Sequence, residues 1–196
     1  MPGATTANKV QFGLSNAHYA KLDISQGTYE KPVPIKGSVS LSLDIEGDSS
    51  KFYADNVAYW ATNKNDGYSG SIELAYVEQK LTQDLLGFVD DGGLNLEFSD
   101  SQPSPFALLF EIDGNVNKQR FVLYNCTLSR PKTDAKTIEG GVEPNTQSLD
   151  ITAIGVDLKF NNVTRNVIKG VMEGTEANKA KFDKFFDSVL LPTAGA

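Results

Sequence analysis

The stretch SVSLSLDIE, residues 38–46, alternates apolar and polar side chains without interruption. Val39, Leu41, Leu43 and Ile45 are the apolar members, and small or acidic residues stand between them. Because successive side chains of a strand point to opposite faces, this pattern predicts a β-strand that is buried on one face only. Such a strand has to pair with others, so the stretch already favours a β-sheet fold.

Further strands and turns follow along the chain. FALLFEI (106–112) is apolar enough to be buried on both faces, and RFVLYNCTL (120–128) alternates again. DGNVNK (113–118) between them predicts a hairpin turn, and NKNDG (63–67) predicts the tip of a second hairpin. From 149 to 160 the apolar positions change phase at Gly155, which indicates a bulge or a move between two sheets.

Helical periodicity is limited to two segments. VEQKLTQDLLGF (77–88) carries an apolar stripe at helical spacing and a glycine stop at Gly87. TEANKAKFDKFFDSVLL carries a second stripe, with Thr175 as its predicted cap and a helix expected over about 176–190. The sequence therefore predicts a mainly β, antiparallel fold with one or two flanking α-helices.

The predicted organisation is a single domain over residues 1–196. It has a flexible N-terminal arm over about 1–8, a protruding hairpin over about 47–70 and the C-terminal helix. The start MPGATTANKVQ lacks the apolar core of a signal peptide, and no stretch reaches the roughly 20 apolar residues of a membrane helix. We therefore expect a chain that is made and folds in a cytoplasm.

Charge and residue usage argue against several functions. The formal net charge is −7, from 18 basic and 25 acidic residues, which disfavours a nucleic-acid reader held by phosphate contacts. The lone His18 and the lone Cys126 lie far apart in predicted strands, so neither a hydrolase triad nor a zinc site is expected. Asp113, Asn115 and Asn117 have calcium-loop spacing, but Lys118 and Tyr124 replace the required glycine and glutamate. We expect no catalytic residue, metal ligand or cofactor.

Several segments, in order along nearly the whole chain, together resemble one family. They are KVQFGLSNAHYA (9–20), PVPIKGSVSLSLDIEGDSSKFYADN (32–56), GYSGSIELA (67–75), FALLFEIDG (106–114), RFVLYNCTLSRP (120–131) and MEGTEANKAKFDKFF (172–186). The chain is similar to the major tail (tail tube) proteins of siphophages and prophages of Gram-positive bacteria. FYADN and LYNCTLSRP are the most specific pieces, and Lys36 departs from the proline expected before the glycine.

The resemblance implies a β-sandwich or split-barrel subunit of the tail-tube type, without enzymatic activity, that assembles into stacked hexameric rings. These would form the tail of a virion, assembled in the host bacterial cytoplasm. The implied partners are further copies of the chain, a tape measure protein, a tail terminator and distal tail or baseplate proteins. DNA would pass through the lumen without specific binding, and no membrane would be involved. Our candidate for the lumen wall is the strand face that carries no basic residue, namely Ser40, Ser42, Asp44 and Glu46. A negatively charged wall repels the phosphates of DNA, so the DNA slides past instead of binding.

The stretch GDSSKFYADNVAYW (47–60) crowds aromatic residues onto what reads as one arm of the 63–67 hairpin. Strict alternation would place Tyr53, Asp55, Val57 and Tyr59 on one face and Phe52, Ala54, Ala58 and Trp60 on the other. Because both faces carry aromatics, we expect a contact with a neighbouring subunit through Phe52, Tyr53, Asp55, Tyr59 and Trp60. Two alternatives stay open: Phe52 and Trp60 complete the subunit's own core, or the aromatics serve a β-sandwich carbohydrate-binding module.

Overall fold

The computed structural model describes residues 10–114, 117–133, 137 and 145–192. The expected N-terminal arm lies outside the described residues. The strands are β1 Leu14–Asp23, β2 Thr28–Tyr29, β3 Val33–Pro34, β4 Ser38–Glu46, β5 Ser49–Ala54, β6 Val57–Asn63, β7 Gly67–Leu74, β8 Val89–Asp91, β9 Leu94–Leu96, β10 Phe106–Ile112, β11 Gln119–Leu128, β12 Gln147–Ile154, β13 Val156–Phe160, β14 Val163–Val167 and β15 Lys169–Glu173. The helices are α1 Gln79–Leu86, a 3₁₀ turn Glu176–Asn178 and α2 Lys179–Asp183.

Most strands belong to one antiparallel sheet with the order β2-β1-β10-β11-β12-β7-β4. The strand β11 has two different partners on its second edge. Its first half pairs with β15 and its last four residues pair with β12. Three hairpins, β5–β6, β8–β9 and β13–β14, stand apart as two-stranded sheets. The predicted mainly β, antiparallel class with two helices is confirmed.

Two apolar cores lie on opposite faces of the central strands. Phe106, Leu108 and Phe110 of β10 point into the first core, while Ala107 and Leu109 point into the second. This double burial is why FALLFEI has no polar position before Glu111. The first core also holds inward residues of β7 and β12 and the buried face of α1.

The phase change at Gly155 is confirmed as a move between sheets. The chain leaves the main sheet after Ile154 and begins the separate β13–β14 hairpin at Val156. Leu149, Ile151 and Ala153 pack in the first core, whereas Leu158 packs in the second. A Cβ at Gly155 would lie 1.6 Å from Oδ1 of Asn166, so a larger residue at the crossing would require the Asn166 side chain to move.

The helix predicted over 77–88 is present as α1 and ends at Gly87, whose φ of 73° is the left-handed cap. The C-terminal prediction of one helix over 176–190 is wrong. Thr175 does cap the segment, but only the 3₁₀ turn and the five residues of α2 are helical. The carbonyl of Phe182 accepts from the N–H of Phe185 and from the guanidinium of Arg120. The bond from Phe185 is an i→i+3 bond, so the helix tightens into a turn and stops here, and Phe185 packs in the second core.

Candidate assembly surfaces

The protruding hairpin exists, but its predicted tip and bounds are wrong. β5 and β6 pair with each other, and the chain reverses at Asp55–Asn56, where φ is 52° and 62°. Two successive residues with positive φ are the signature of a tight type I′ hairpin turn. Residues 63–67, read as the tip, instead return the chain to the main sheet, where β7 pairs along the whole of β4. We call β5, β6 and their turn (49–63) the arm.

The faces of the arm differ from strict alternation because β6 carries a bulge. Phe52 stands opposite Trp60 and Tyr53 stands opposite Ala58, which leaves Tyr59 as the extra residue. Val57 therefore stands opposite Ala54, on the face of Phe52 and Trp60, rather than with Tyr53. The register gives the arm one face of Phe52, Ala54, Val57 and Trp60, and we call it the apolar face.

Every aromatic side chain of the arm is largely exposed. Phe52 is 60% exposed, Tyr53 62%, Tyr59 77% and Trp60 56%. None of them belongs to either core, so the alternative that Phe52 and Trp60 complete the subunit's own core is wrong. Asp55 lies in the turn itself, where it serves the backbone reversal.

The proposed lumen residues Ser40, Ser42, Asp44 and Glu46 are all exposed on one face of β4, as predicted. The register extends this face across β7 and β12, and these neighbours were missed by sequence reasoning: Ser69, Ser71, Glu73, Ser148, Asp150 and Thr152. None of the ten residues is basic. We call this surface the acidic face.

Hydrogen bonds tie the acidic face together. The hydroxyl of Ser40 donates to the Glu73 carboxylate at 2.9 Å, and Thr146 donates to the second oxygen of Glu73. The hydrogen bonds from Thr146 and Ser40 lower the pKa of Glu73 below its usual value. Glu73 therefore keeps its negative charge at neutral pH. Ser69 in turn donates to Glu46, which fixes a second carboxylate on the sheet.

The strand β4 forms the end of the main sheet, and its outer edge has no strand partner among the described residues. The sequence predicted that the apolar face of β4 is buried, and the structure differs from this at both ends of the strand. Leu41 and Leu43 are half-buried, but Val39 is 51% exposed and Ile45 is 77% exposed. An unpaired edge with exposed apolar residues is a ready site for pairing with another chain.

The residues weighed above as catalytic or metal-binding candidates, His18 and Asp113, contact other side chains and backbone groups of the fold. His18 stacks on Phe186 with ring centroids 4.7 Å apart, and its Nδ1 lies 2.8 Å from the carbonyl of Asn16. Asp113 pairs with Lys118 at 3.3 Å in the β10–β11 hairpin. Within residues 10–114, 117–133, 137 and 145–192, no group of three potential ligands is placed to hold a metal ion. No helix in that part of the chain is long and apolar enough to cross a membrane.

Cys126 is fully buried in the first core, and burial raises the pKa of its thiol to about 12. We expect native protein at pH 8 to react with a thiol reagent no faster than it unfolds, because the thiolate is both scarce and enclosed. Labelling with an aromatic disulfide reagent, with and without denaturant, measures this. Rapid labelling of the native chain, at a rate that rises with pH, would contradict it.

No family model matches the chain, and no curated protein sequence is significantly similar to it.

Proposed function

We propose that this chain is a structural tail tube subunit of a siphophage or prophage, which self-assembles into stacked hexameric rings. The structural observation that supports the proposal most is the arm. A monomeric protein has little reason to hold four large aromatic side chains on a two-stranded ribbon outside its cores. Aromatic residues are enriched where subunits meet, because they bury much area at a small entropy loss.

The acidic face supports the same proposal. A sheet face with carboxylates and hydroxyls but no basic residue repels phosphates and offers them no lysine or arginine partner. In a ring, this face would line the lumen and let DNA slide. The free edge of β4 would pair with the neighbouring subunit and continue the sheet around the ring. The tape measure protein would occupy the lumen before DNA, with terminator and distal tail proteins at the two ends.

Electron microscopy of the concentrated, purified protein tests the proposal directly. We expect rings or tubes in negative stain. The second candidate is a carbohydrate-binding module, which the exposed Tyr59 and Trp60 could serve by stacking on sugar rings. A protein that stays monomeric at every concentration and binds oligosaccharides would replace the first proposal by the second.

The lumen assignment has its own test in the variant Ser42→Cys, since the native thiol of Cys126 is enclosed. We expect a small maleimide to label Ser42→Cys equally in subunits and in tubes. A maleimide carrying a 5-kDa polymer should label the subunit but react at least tenfold more slowly in tubes, because it has to enter the lumen. Equal rates for the large reagent would place Ser42 on the outer wall.

A further inference from the structure

A shallow groove of about 190 Å³ opens between the start of β1 and the middle of β4. Gly13, Leu14, Leu41, Phe110 and Ile112 line it, and none of them carries a charge. β1 and β4 contact each other here but form no strand pairing. The groove is therefore an open, apolar seam between two strands of the main sheet.

An apolar strip leads from the groove along β4 to the root of the arm. Leu41, Leu43 and Ile45 stand opposite Ile72, Gly70 and Tyr68 of β7, on the sheet face that covers the first core. Leu41 and Leu43 pack against that core, but Ile45 runs past its end and is 77% exposed. Nothing in the described part of the chain covers Ile45 or closes the groove.

We propose that the groove and Ile45 receive the apolar face of the arm from a second copy of this chain. This inference rests on the proposed function and specifies where the arm binds. The two surfaces match in polarity, since neither the groove nor the apolar face of the arm carries a charge. Lys51 lies on the opposite face with Tyr53. Within the groove the contact therefore desolvates no ion, and the Lys169 ammonium lies beside the strip, 4.5 Å from the ring of Tyr68.

The apolar face of the arm would contribute part of a stable contact. Large aromatic side chains bury about 150–250 Å² each, so Phe52 and Trp60, which are 60% and 56% exposed, present roughly 230 Å². A stable interface buries about 800 Å² per partner. The free edge of β4, which continues from the strip, would supply the remaining area.

The contact is heterologous, because the arm and the groove are different surfaces of the same chain. Each copy gives one arm and receives another. Contacts of this kind do not saturate in a dimer but repeat until a ring closes or a filament grows. The same pair of surfaces therefore accounts for assembly without any second protein.

Cross-linking between two variants with one added cysteine each tests the inference, since the native Cys126 is enclosed in the first core. One variant is Ala54→Cys, on the apolar face of the arm, and the other is Leu14→Cys, in the groove. The matched control pairs Ala54→Cys with Val171→Cys, since Val171 is 51% exposed and lies on β15, two strands from Phe110 of the groove. Mixed and oxidised under assembly conditions, the first pair should give at least tenfold more covalent dimer than the control pair.

Two results would overturn the inference. If tubes form but Ala54→Cys links equally to Val171→Cys, or links only to itself, the arm binds elsewhere while the proposed function stands. If wild-type protein forms neither rings nor tubes, the proposed function fails and the inference with it.

The variant Ile45→Lys gives an independent measurement that does not depend on cross-linking. Ile45 is exposed in the subunit, so the charge should leave thermal unfolding unchanged but raise the protein concentration needed for assembly at least tenfold. Val171→Lys is the control, with an expected change of less than twofold. Assembly of Ile45→Lys at the wild-type concentration would contradict docking at the strip.

Discussion

Replacing Phe52 and Trp60 together by alanine should abolish assembly and leave the folded subunit intact. Both side chains are more than half exposed and outside the cores, so their removal leaves no cavity in the subunit. Buried aromatics at interface centres contribute about 2 kcal/mol or more each, so losing both should raise the assembly concentration about 1,000-fold. Light scattering against concentration measures assembly, and thermal unfolding by circular dichroism checks the fold.

Tyr76→Ala is the matched control for this double variant. Tyr76 is 63% exposed, like the arm aromatics, but it follows β7 outside the arm. We expect it to assemble as wild type does. Normal tubes from the double variant, or equal loss in both variants, would remove the arm from the interface. The bulged Tyr59 can be replaced separately, because the register does not place it on the apolar face.

Arg120→Ala should be the most destabilising single substitution among the charged residues of the structure. The Glu111 carboxylate is 1% exposed, and Arg120 Nε donates to it at 2.6 Å. The same guanidinium lies 3.9 Å from the ring centroid of Phe182 and also donates to the Phe182 carbonyl. Removing one partner of a buried ion pair costs up to about 3–5 kcal/mol, because the buried Glu111 carboxylate would keep only the exposed Lys118 as a charged partner. Urea unfolding followed by circular dichroism measures the loss.

Lys118→Ala provides the control, since Lys118 also binds Glu111, at 3.0 Å, but its side chain is 56% exposed. Water screens the exposed Lys118 ammonium, and Glu111 keeps its buried bond to Arg120, so this variant should be less destabilised than Arg120→Ala, by about 1 kcal/mol. If both variants lose the same small amount, Arg120 does not hold the C-terminal segment on the sheet.

Much of the fold could be predicted because its strands obey a period of two and because Asp113-Gly114 follows directly on β10. The double burial of β10 was predicted from seven residues, and the crossing at Gly155 from a phase change alone. These signals are local, so a single sequence carries them.

The arm shows where local signals compete. Residues 63–67 contain the familiar Asn-Asp-Gly, yet the reversal occurs at Asp55–Asn56, where two left-handed residues form the tighter turn. The bulge at Tyr59 then moves Val57 to the opposite face, and alternation cannot reveal a bulge. The predicted C-terminal helix failed at the same level, because the chain turns after Asp183 to place Phe185 in the second core, against strands that are distant in sequence.

The candidate surfaces were only partly predictable. The four β4 residues of the acidic face could be chosen from their alternation. Their neighbours Glu73 and Asp150 could not, because the register of β4, β7 and β12 joins segments far apart in the chain. The groove forms because β1 comes close to β4 without pairing with it. The apolar and polar alternation of the two strands does not indicate such an approach.

The sequence separation between paired residues also sets the order in which the strands pair during folding. The arm closes between Ala54 and Val57, which are neighbours in sequence, and hairpins of this kind form in about 1–10 μs. The groove exists only after Leu14 has found Ile112, and contacts between such distant segments form over milliseconds to seconds. Under the docking that we propose, a new chain would offer its arm early but accept a partner's arm only when its own sheet is complete. On this scheme, only folded subunits can be added to a growing tube.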